Sequence, residues 1–203
     1  MVSVGDTKKV AIVGGAGHVG LPFGLVLADN GYKVTALDRD EVAVRALNDG
    51  RMPFMEAGAP DLLVSVIESG HLVASTDKSS VSDADVVVVV VGTPVDEHLN
   101  PDPNAVLDLF KDLSEFFHSG QLVILRSTVF PGVTRKVEDW FALEHPGVSV
   151  SFCPERIAEG SALEEITTLP QLVGARSADI SRRAEAFFGA VGIKTIRVDP
   201  EEA

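Results

Sequence analysis

Short apolar runs alternate along the chain with segments in which apolar residues recur every three or four positions. Runs of the first kind are typical of buried strands, and segments of the second kind are typical of amphipathic helices. The apolar runs predict strands over residues 9–13, 33–38, 72–74, 85–91, 122–125, 148–152, 171–174 and 194–198. The periodic segments predict helices over residues 19–30, 41–49, 61–69, 103–119, 132–141 and 177–188.

Two of the predicted helix starts rest on capping residues. Asp61 is expected to cap the third helix, and Asp102 the fourth, with Pro103 at its first helical position. In that fourth helix the spacing predicts a buried apolar face made of Val106, Leu109, Phe110, Leu113, Phe116 and Phe117.

The predicted strands are too apolar to leave one face in water. The strand over residues 85–91 ends in six consecutive valines, Val86 to Val91. Strands buried on both faces that alternate with helices indicate a mainly parallel sheet covered on both sides. We therefore expect a doubly wound, Rossmann-type α/β fold that forms a single domain over residues 1–203.

Composition and charge narrow the classes of protein further. The 203 residues are 45% hydrophobic and 23% charged, as in ordinary globular proteins. The net charge of −13 disfavours nucleic acid and anionic membranes as partners. Glycines interrupt the apolar stretch 10–28, so we expect neither a signal peptide nor a membrane span there. Cys153 is the only cysteine, which favours a reducing, cytoplasmic compartment.

A glycine motif lies between the first predicted strand and the first predicted helix. Its sequence is G-x-G-x-x-G, formed by Gly15, Gly17 and Gly20. In dinucleotide-binding folds the first glycine allows a tight turn, the second lets the backbone approach a pyrophosphate, and the third lets helix and strand pack closely. His18 and Val19 belong to the same phosphate-binding turn, and we expect His18 to be a loop side chain rather than a catalytic one.

An acidic residue follows the second predicted strand, where the fold places the adenosine ribose. Asp38 is expected to accept hydrogen bonds from the ribose hydroxyls and to repel a 2′-phosphate, which favours NAD over NADP. The neighbouring Arg39 leaves an alternative open, because an arginine there can take a 2′-phosphate or stack on adenine.

Residues suited to chemistry follow three more predicted strands. They are Gly92-Thr93-Pro94, the segment from Arg126 to Gly132, and Cys153-Pro154-Glu155-Arg156. Ligands of open α/β sheets bind at this carboxyl edge of the strands.

At these positions the chain resembles the UDP-glucose/GDP-mannose dehydrogenase family. The motifs that carry the resemblance are Gly20-Leu21-Pro22, Leu47-Asn48-x-Gly50, Val91-Gly92-Thr93-Pro94, Ser127-Thr128-Val129-x-Pro131-Gly132-x-Thr134 and Pro154-Glu155. The resemblance implies oxidation of the 6-hydroxyl of a nucleotide sugar to a carboxylate, with two NAD+ and one water.

The resemblance also implies roles for individual residues. Gly92, Thr93, Pro94, Ser127 and Thr128 would line the path of the cofactor toward the nicotinamide. Thr128 and Glu155 would position or activate a water and handle protons.

Structural alternatives stand beside these roles. Glu155 would also serve as an ordinary acid at a strand end, and Thr128 as a helix-capping hydroxyl. Arg156, together with Glu155, is a candidate for contact with the sugar substrate, and a structural ion pair is the alternative for Arg156. No metal site is expected.

One segment also indicates a particular branch of the family. Cys153-Pro154-Glu155-Arg156, followed by the segment 169–174, resembles the branch that oxidises UDP-N-acetyl-mannosamine. UDP-glucose and UDP-N-acetyl-glucosamine remain alternatives.

The resemblance implies parts that these residues do not contain. The family's cysteine nucleophile and its supporting lysine lie in a central helical domain, and a further α/β domain binds UDP. Cys153 matches a non-catalytic position. We therefore expect a fragment that binds NAD without oxidising a sugar and that is monomeric or weakly associating, whereas the full-length enzyme would be a homodimer.

Rival interpretations remain open at this point. They are a stand-alone NAD-binding or redox-sensing module, a Rossmann dehydrogenase of the 6-phosphogluconate or hydroxyacid type, and a degenerate structural domain.

Overall fold

The computed structural model describes residues 8–92, 102, 104–158, 160–200 and 203. Thr93, Pro94 and Pro103 therefore lie outside the described residues. The strands of this part of the chain are β1 (Lys9–Val13), β2 (Lys33–Leu37), β3 (Leu72–Ser75), β4 (Val86–Val89), β5 (Leu122–Leu125), β6 (Ser149–Phe152), β7 (Gln171–Gly174) and β8 (Thr195–Val198).

These strands form one sheet in the order β3-β2-β1-β4-β5-β6-β7-β8. The first six strands are parallel, with Val10 paired to Val34 on one side and to Val86 on the other. β7 runs antiparallel to β6 through the pair Phe152 and Gly174, and β8 is parallel to β7. The order reverses between β1 and β4, where a doubly wound sheet opens its ligand crevice.

Helices cover both faces of this sheet. They are α1 (Gly20–Asp29), α2 (Glu41–Asn48), α3 (Ala59–Glu68), α4 (Ala105–Asp112), α5 (Val133–Glu144), α6 (Ala162–Thr168) and α7 (Ala178–Gly189), with 3₁₀ turns at Lys78–Val81 and Ser114–Phe116. The predicted mainly parallel Rossmann-type fold is confirmed.

The core is divided into two layers by the sheet, as strands buried on both faces require. Along β4, Val86 and Val88 pack into one apolar cluster, which also receives α1, α3, α6 and α7. Val87 and Val89 pack into the other cluster, beneath α4 and α5. Successive side chains of a strand point to opposite faces, so an all-valine strand can fill both layers.

Two predicted helix starts are wrong. The N-cap of α3 is Gly58 in the left-handed region, and Asp61 lies within the first turn. The N-cap of α4 is Asn104, and Asp102 accepts a hydrogen bond from its amide instead. In both places the local turn brings a residue that is neither proline nor acidic, Gly58 or Asn104, to the N-cap position.

The predicted fourth helix is also shorter than expected. α4 ends at Asp112, and a 3₁₀ turn continues to Phe116. Of the predicted apolar face, Leu109 and Phe116 are only partly buried. Helix α6 was not predicted at all, because its seven residues are too few to display a helical period.

In the described residues, no helix combines the length and the apolar character that a membrane crossing requires.

Candidate functional site

The glycine-rich segment after β1 folds as a tight turn against the neighbouring strands. Gly14, not Gly15, has the positive φ of the turn, at +83°, and a Cβ there would lie 2.2 Å from the carbonyl oxygen of Val90. Gly15 instead packs against β2, where a Cβ would lie 2.6 Å from Cα of Ala36. Gly15 lies within the turn, which the hydrogen bond from the amide of Gly17 to the carbonyl oxygen of Gly14 closes, and the positive φ at Gly14 is the part that the motif did not predict.

The two remaining glycines of the motif have different surroundings. A Cβ on Gly20 would lie 2.3 Å from the carbonyl oxygen of Gly14, so helix and loop are in direct backbone contact there. At Gly17 the nearest atom to a Cβ would be 3.4 Å away, which is ordinary contact. The protein itself does not need a glycine at Gly17, and the space that it leaves suits close approach of a pyrophosphate.

The start of α1 is suited to an anion. Its N-cap residue is Val19, whose side chain cannot cap, and no acidic residue lies in its first turn. The first amide groups of a helix lack intrahelical acceptors and carry partial positive charge. The residues present therefore fit a dinucleotide phosphate at this end of α1.

Asp38 lies beside this loop, directly after β2. Its Oδ2 accepts a hydrogen bond from the amide of Ala16 at 3.1 Å, and its Oδ1 accepts one from Asp40 at 3.1 Å. The carboxylate is partly exposed, whereas Arg39 is exposed. The structure thus places the proposed ribose acceptor in contact with the phosphate loop.

His18 is exposed and belongs to the same loop. Its ring stacks on that of Phe54, with centroids 4.0 Å apart and an interplanar angle of 23°. This contact ties the phosphate loop to the segment between α2 and α3.

The ends of β4 and β5 are joined through Ser127. This buried hydroxyl accepts a hydrogen bond from the amide of Val91 at 2.9 Å. Gly92 follows directly, is exposed, and has space for a Cβ. Ser127 therefore holds the end of the strand that leads to Gly92.

Thr128 is exposed at the end of β5. The N-cap residue of α5 is Gly132, which has no side chain to cap the helix, and both roles of Thr128 stay predictions.

Glu155 is turned inward at the end of β6. Its side chain is 11% exposed and forms an ion pair with Arg126, whose side chain is 2% exposed. Its Oε1 accepts hydrogen bonds from the amides of Arg156 at 2.7 Å and Ile157 at 3.0 Å. In this arrangement the carboxylate binds its own loop, and its predicted contact with water stays a prediction.

Arg156 is exposed, and its guanidinium donates to the carbonyl oxygen of Pro170. Cys153 is fully buried, and burial raises the pKa of its thiol to about 12. A thiol that stays protonated at neutral pH is a poor nucleophile.

Arg126 and Gln171 are two polar residues of this region for which the sequence predicted no individual role. Arg126 is buried behind Glu155, and its Nη1 donates to Oε1 of Gln171 at 2.6 Å. The signal that could have found Arg126 is an arginine that directly follows the apolar strand β5.

The parallel strands therefore bring the glycine loop, Asp38, Ser127, Thr128 and Glu155 to one edge of the sheet. Such an edge, with a phosphate-binding turn and an acid after the second strand, defines the class of Rossmann-type dinucleotide-binding domains.

Comparison with known proteins specifies the family. Residues 8–191 match the model of the "UDP-glucose/GDP-mannose dehydrogenase family, NAD binding domain". The chain belongs to this family. The alternative of a 6-phosphogluconate-type or hydroxyacid-type dehydrogenase is thereby set aside.

The sequence identity to individual relatives is low. The chain is 32% identical to a UDP-N-acetyl-D-mannosamine dehydrogenase of Methanococcus aeolicus over 190 residues, which are 90% of this chain and 42% of that protein. It is 27% identical to an NDP-N-acetyl-D-galactosaminuronic acid dehydrogenase of Ralstonia nicotianae, again over 90% of this chain and over 45% of the relative. The chain thus spans less than half the length of these relatives.

A solved UDP-glucose dehydrogenase of Pyrobaculum islandicum superposes with a TM-score of 0.87 at 26% identity. The match covers 100% of this chain and 49% of that one.

Proposed function

We propose that these residues are the NAD-binding part of a nucleotide-sugar 6-dehydrogenase. The observation that carries this proposal is the contrast within the glycine turn beside Asp38: a Cβ on Gly17 would meet only an ordinary contact at 3.4 Å, whereas Gly15 and Gly20 are crowded by backbone.

In this proposal the pyrophosphate binds at Gly17, His18, Val19 and the start of α1. Asp38 accepts hydrogen bonds from the adenosine ribose, and Arg39 lies beside the adenine. Bound NAD+ supplies the hydride acceptor.

The nicotinamide end would lie along the strand ends that carry Gly92 and Thr128, with Thr93 and Pro94 continuing from Gly92. Thr128, exposed at the edge of the sheet, would hold a water by hydrogen bonding. Glu155 and Arg156 would lie on the side of the sugar.

For the substrate we propose UDP-N-acetyl-mannosamine, with UDP-glucose and UDP-N-acetyl-glucosamine as alternatives. Support comes from the segment Cys153-Pro154-Glu155-Arg156 and from the mannosamine dehydrogenase of Methanococcus aeolicus among the relatives. A cytoplasmic enzyme that supplies precursors of surface polysaccharides fits such a substrate.

We further propose that the catalytic cysteine, the UDP-binding domain and the main dimer contacts belong to domains outside these 203 residues. The 203-residue chain should then bind NAD without oxidising a sugar, and it should be a monomer or weakly associating.

Calorimetric titration of the chain with NAD+ and NADP+, followed by an assay for NADH with each of the three UDP-sugars, tests these points. We expect binding of NAD+, weaker binding of NADP+ and no NADH. Absence of NAD+ binding would overturn the cofactor assignment, and turnover of any of the sugars would overturn the fragment proposal.

A further inference from the structure

Arg126 is a buried cation that no predicted role explains. Its guanidinium carbon lies 4.5 Å from the ring centroid of Phe23 and 5.7 Å from that of Phe188. Burial lowers the pKa of this guanidinium to about 10, so the group is charged at neutral pH. A buried charge is costly unless partners compensate it, so its partners at this position are informative.

The polar partners of Arg126, Glu155 and Gln171, both lead to one segment of the chain. The guanidinium faces the carboxylate of Glu155, whose other oxygen accepts from the amides of Arg156 and Ile157. Arg126 also donates to Gln171, and Nε2 of Gln171 donates to the carbonyl oxygen of Pro154 at 3.0 Å. Residues 154–157 are thus held from two sides by groups that Arg126 orders.

The opposite side of Arg126 contacts the phosphate-binding element. Phe23 belongs to α1, whose N-terminus follows the glycine loop, and Phe188 belongs to α7. Cation–π contact with both rings places the guanidinium at a fixed point between α1 and the loop after β6.

We propose that Arg126 is a positioning residue that fixes residues 154–157 relative to the phosphate-binding helix α1. The proposal deepens the proposed function, on which it rests, because Glu155 and Arg156 are the residues placed on the side of the sugar. Arg126 acts through Glu155 and Gln171 and does not touch a ligand itself.

Amide hydrogen exchange of Arg156 and Ile157, followed by NMR on the 203-residue chain, tests the proposal. In Arg126→Met the Glu155 carboxylate loses its cation, and both amides should exchange about tenfold faster than in the wild type. In Arg126→Lys, which keeps the charge but not the planar donor group, the acceleration should be smaller.

Arg183→Met is the matched control. Arg183 also donates from its guanidinium to a strand end, through Ser149 and the carbonyl oxygen of Gly120, but it does so at the opposite edge of the sheet. Its replacement should leave the exchange of Arg156 and Ile157 within about twofold of the wild type.

The double variant Arg126→Met/Glu155→Gln separates folding from positioning. It removes both charges of the buried pair, so no unpaired charge is left behind, and the glutamine side chain keeps an oxygen that can accept from the two amides. We therefore expect a urea midpoint above that of Arg126→Met, together with fast exchange at Arg156 and Ile157, because Arg126 no longer holds residue 155 in place.

Three results would overturn the inference. They are wild-type exchange at both amides in Arg126→Met, equal acceleration in Arg126→Met and Arg183→Met, and restored protection in the double variant. Titration of the wild type with NAD+ is a separate measurement. Its failure would remove the proposed function and leave the exchange result intact.

Discussion

The glycine loop after β1 and the loop after β6 lie at the same edge of the sheet, yet they are built differently. The first is made of backbone: Gly14, Gly15 and Gly20 leave no room for a Cβ within the turn. The second is held by side chains, with Glu155 bound to Arg126 behind it. A site for a phosphate can be formed by backbone amides, whereas a loop that presents side chains to a sugar needs other side chains to hold it.

The comparison predicts that the largest effects on folding come from the crowded glycines. Gly14→Ala places a Cβ against Val90 at a φ of +83° and should lower the free energy of unfolding by about 3 kcal/mol. Urea unfolding measures this change.

Gly31→Ala is the matched control, since its φ is +86° but nothing lies within 4 Å of a Cβ. It should cost only about 1 kcal/mol. If the two variants lose the same free energy of unfolding, the contact with Val90 does not contribute to the loss.

The second largest effect is expected for Gly17, on NAD+ binding. Gly17→Ala should leave the urea midpoint nearly unchanged, because the nearest atom to its Cβ would be 3.4 Å away. It should weaken NAD+ binding by about tenfold, or about 1.4 kcal/mol, if the methyl group occupies the position of the pyrophosphate. Calorimetric titration checks this, and undiminished affinity would contradict the phosphate assignment.

Asp38→Ala should act on cofactor selection. We expect NAD+ affinity to fall several-fold, about 1 kcal/mol, and the preference over NADP+ to shrink, since the acceptor for the ribose and the repulsion of a 2′-phosphate are lost together.

The control for that change is Asp40→Ala. Asp40 caps α2 by accepting from the amides of Val42 and Ala43. Its loss should cost about 1 kcal/mol of stability with no change in NAD+ affinity. Unaltered NAD+ affinity in Asp38→Ala would remove the ribose role.

The smallest effect is expected at Cys153. Burial raises the pKa of this thiol to about 12, so it stays protonated and inaccessible through neutral and mildly alkaline pH. Cys153→Ala should keep NAD+ affinity within about twofold.

A thiol reagent should react with the wild type at pH 8 only after unfolding in urea. Rapid reaction in the folded chain would reopen the question of a reactive cysteine. Because the thiol pKa is raised in the folded state, its contribution to stability is complete below about pH 9 and is lost as the pH rises toward 12.

The sequence by itself determined the parts of this protein that depend on neighbours along the chain. The apolar runs predicted all the strands of the sheet, most clearly β4 and β5, whose burial on both faces demands continuous apolar residues. The edge strand β8 is largely exposed and was predicted from its apolar residues alone. The motif of Gly15, Gly17 and Gly20 predicted the glycine turn and the start of α1, since both are formed within a few residues.

The tertiary structure alone decided that Gly14 has the positive φ of the turn, that β7 reverses direction, and that Glu155 points inward. These features depend on contacts between segments far apart in the chain. Gly14 must pass close to Val90, directly after the neighbouring strand β4, and the Glu155 carboxylate is directed by Arg126, which is itself held between Phe23 and Phe188. A local pattern states which side chains are present, but the partner that a buried charge meets is fixed only when the strands are packed together.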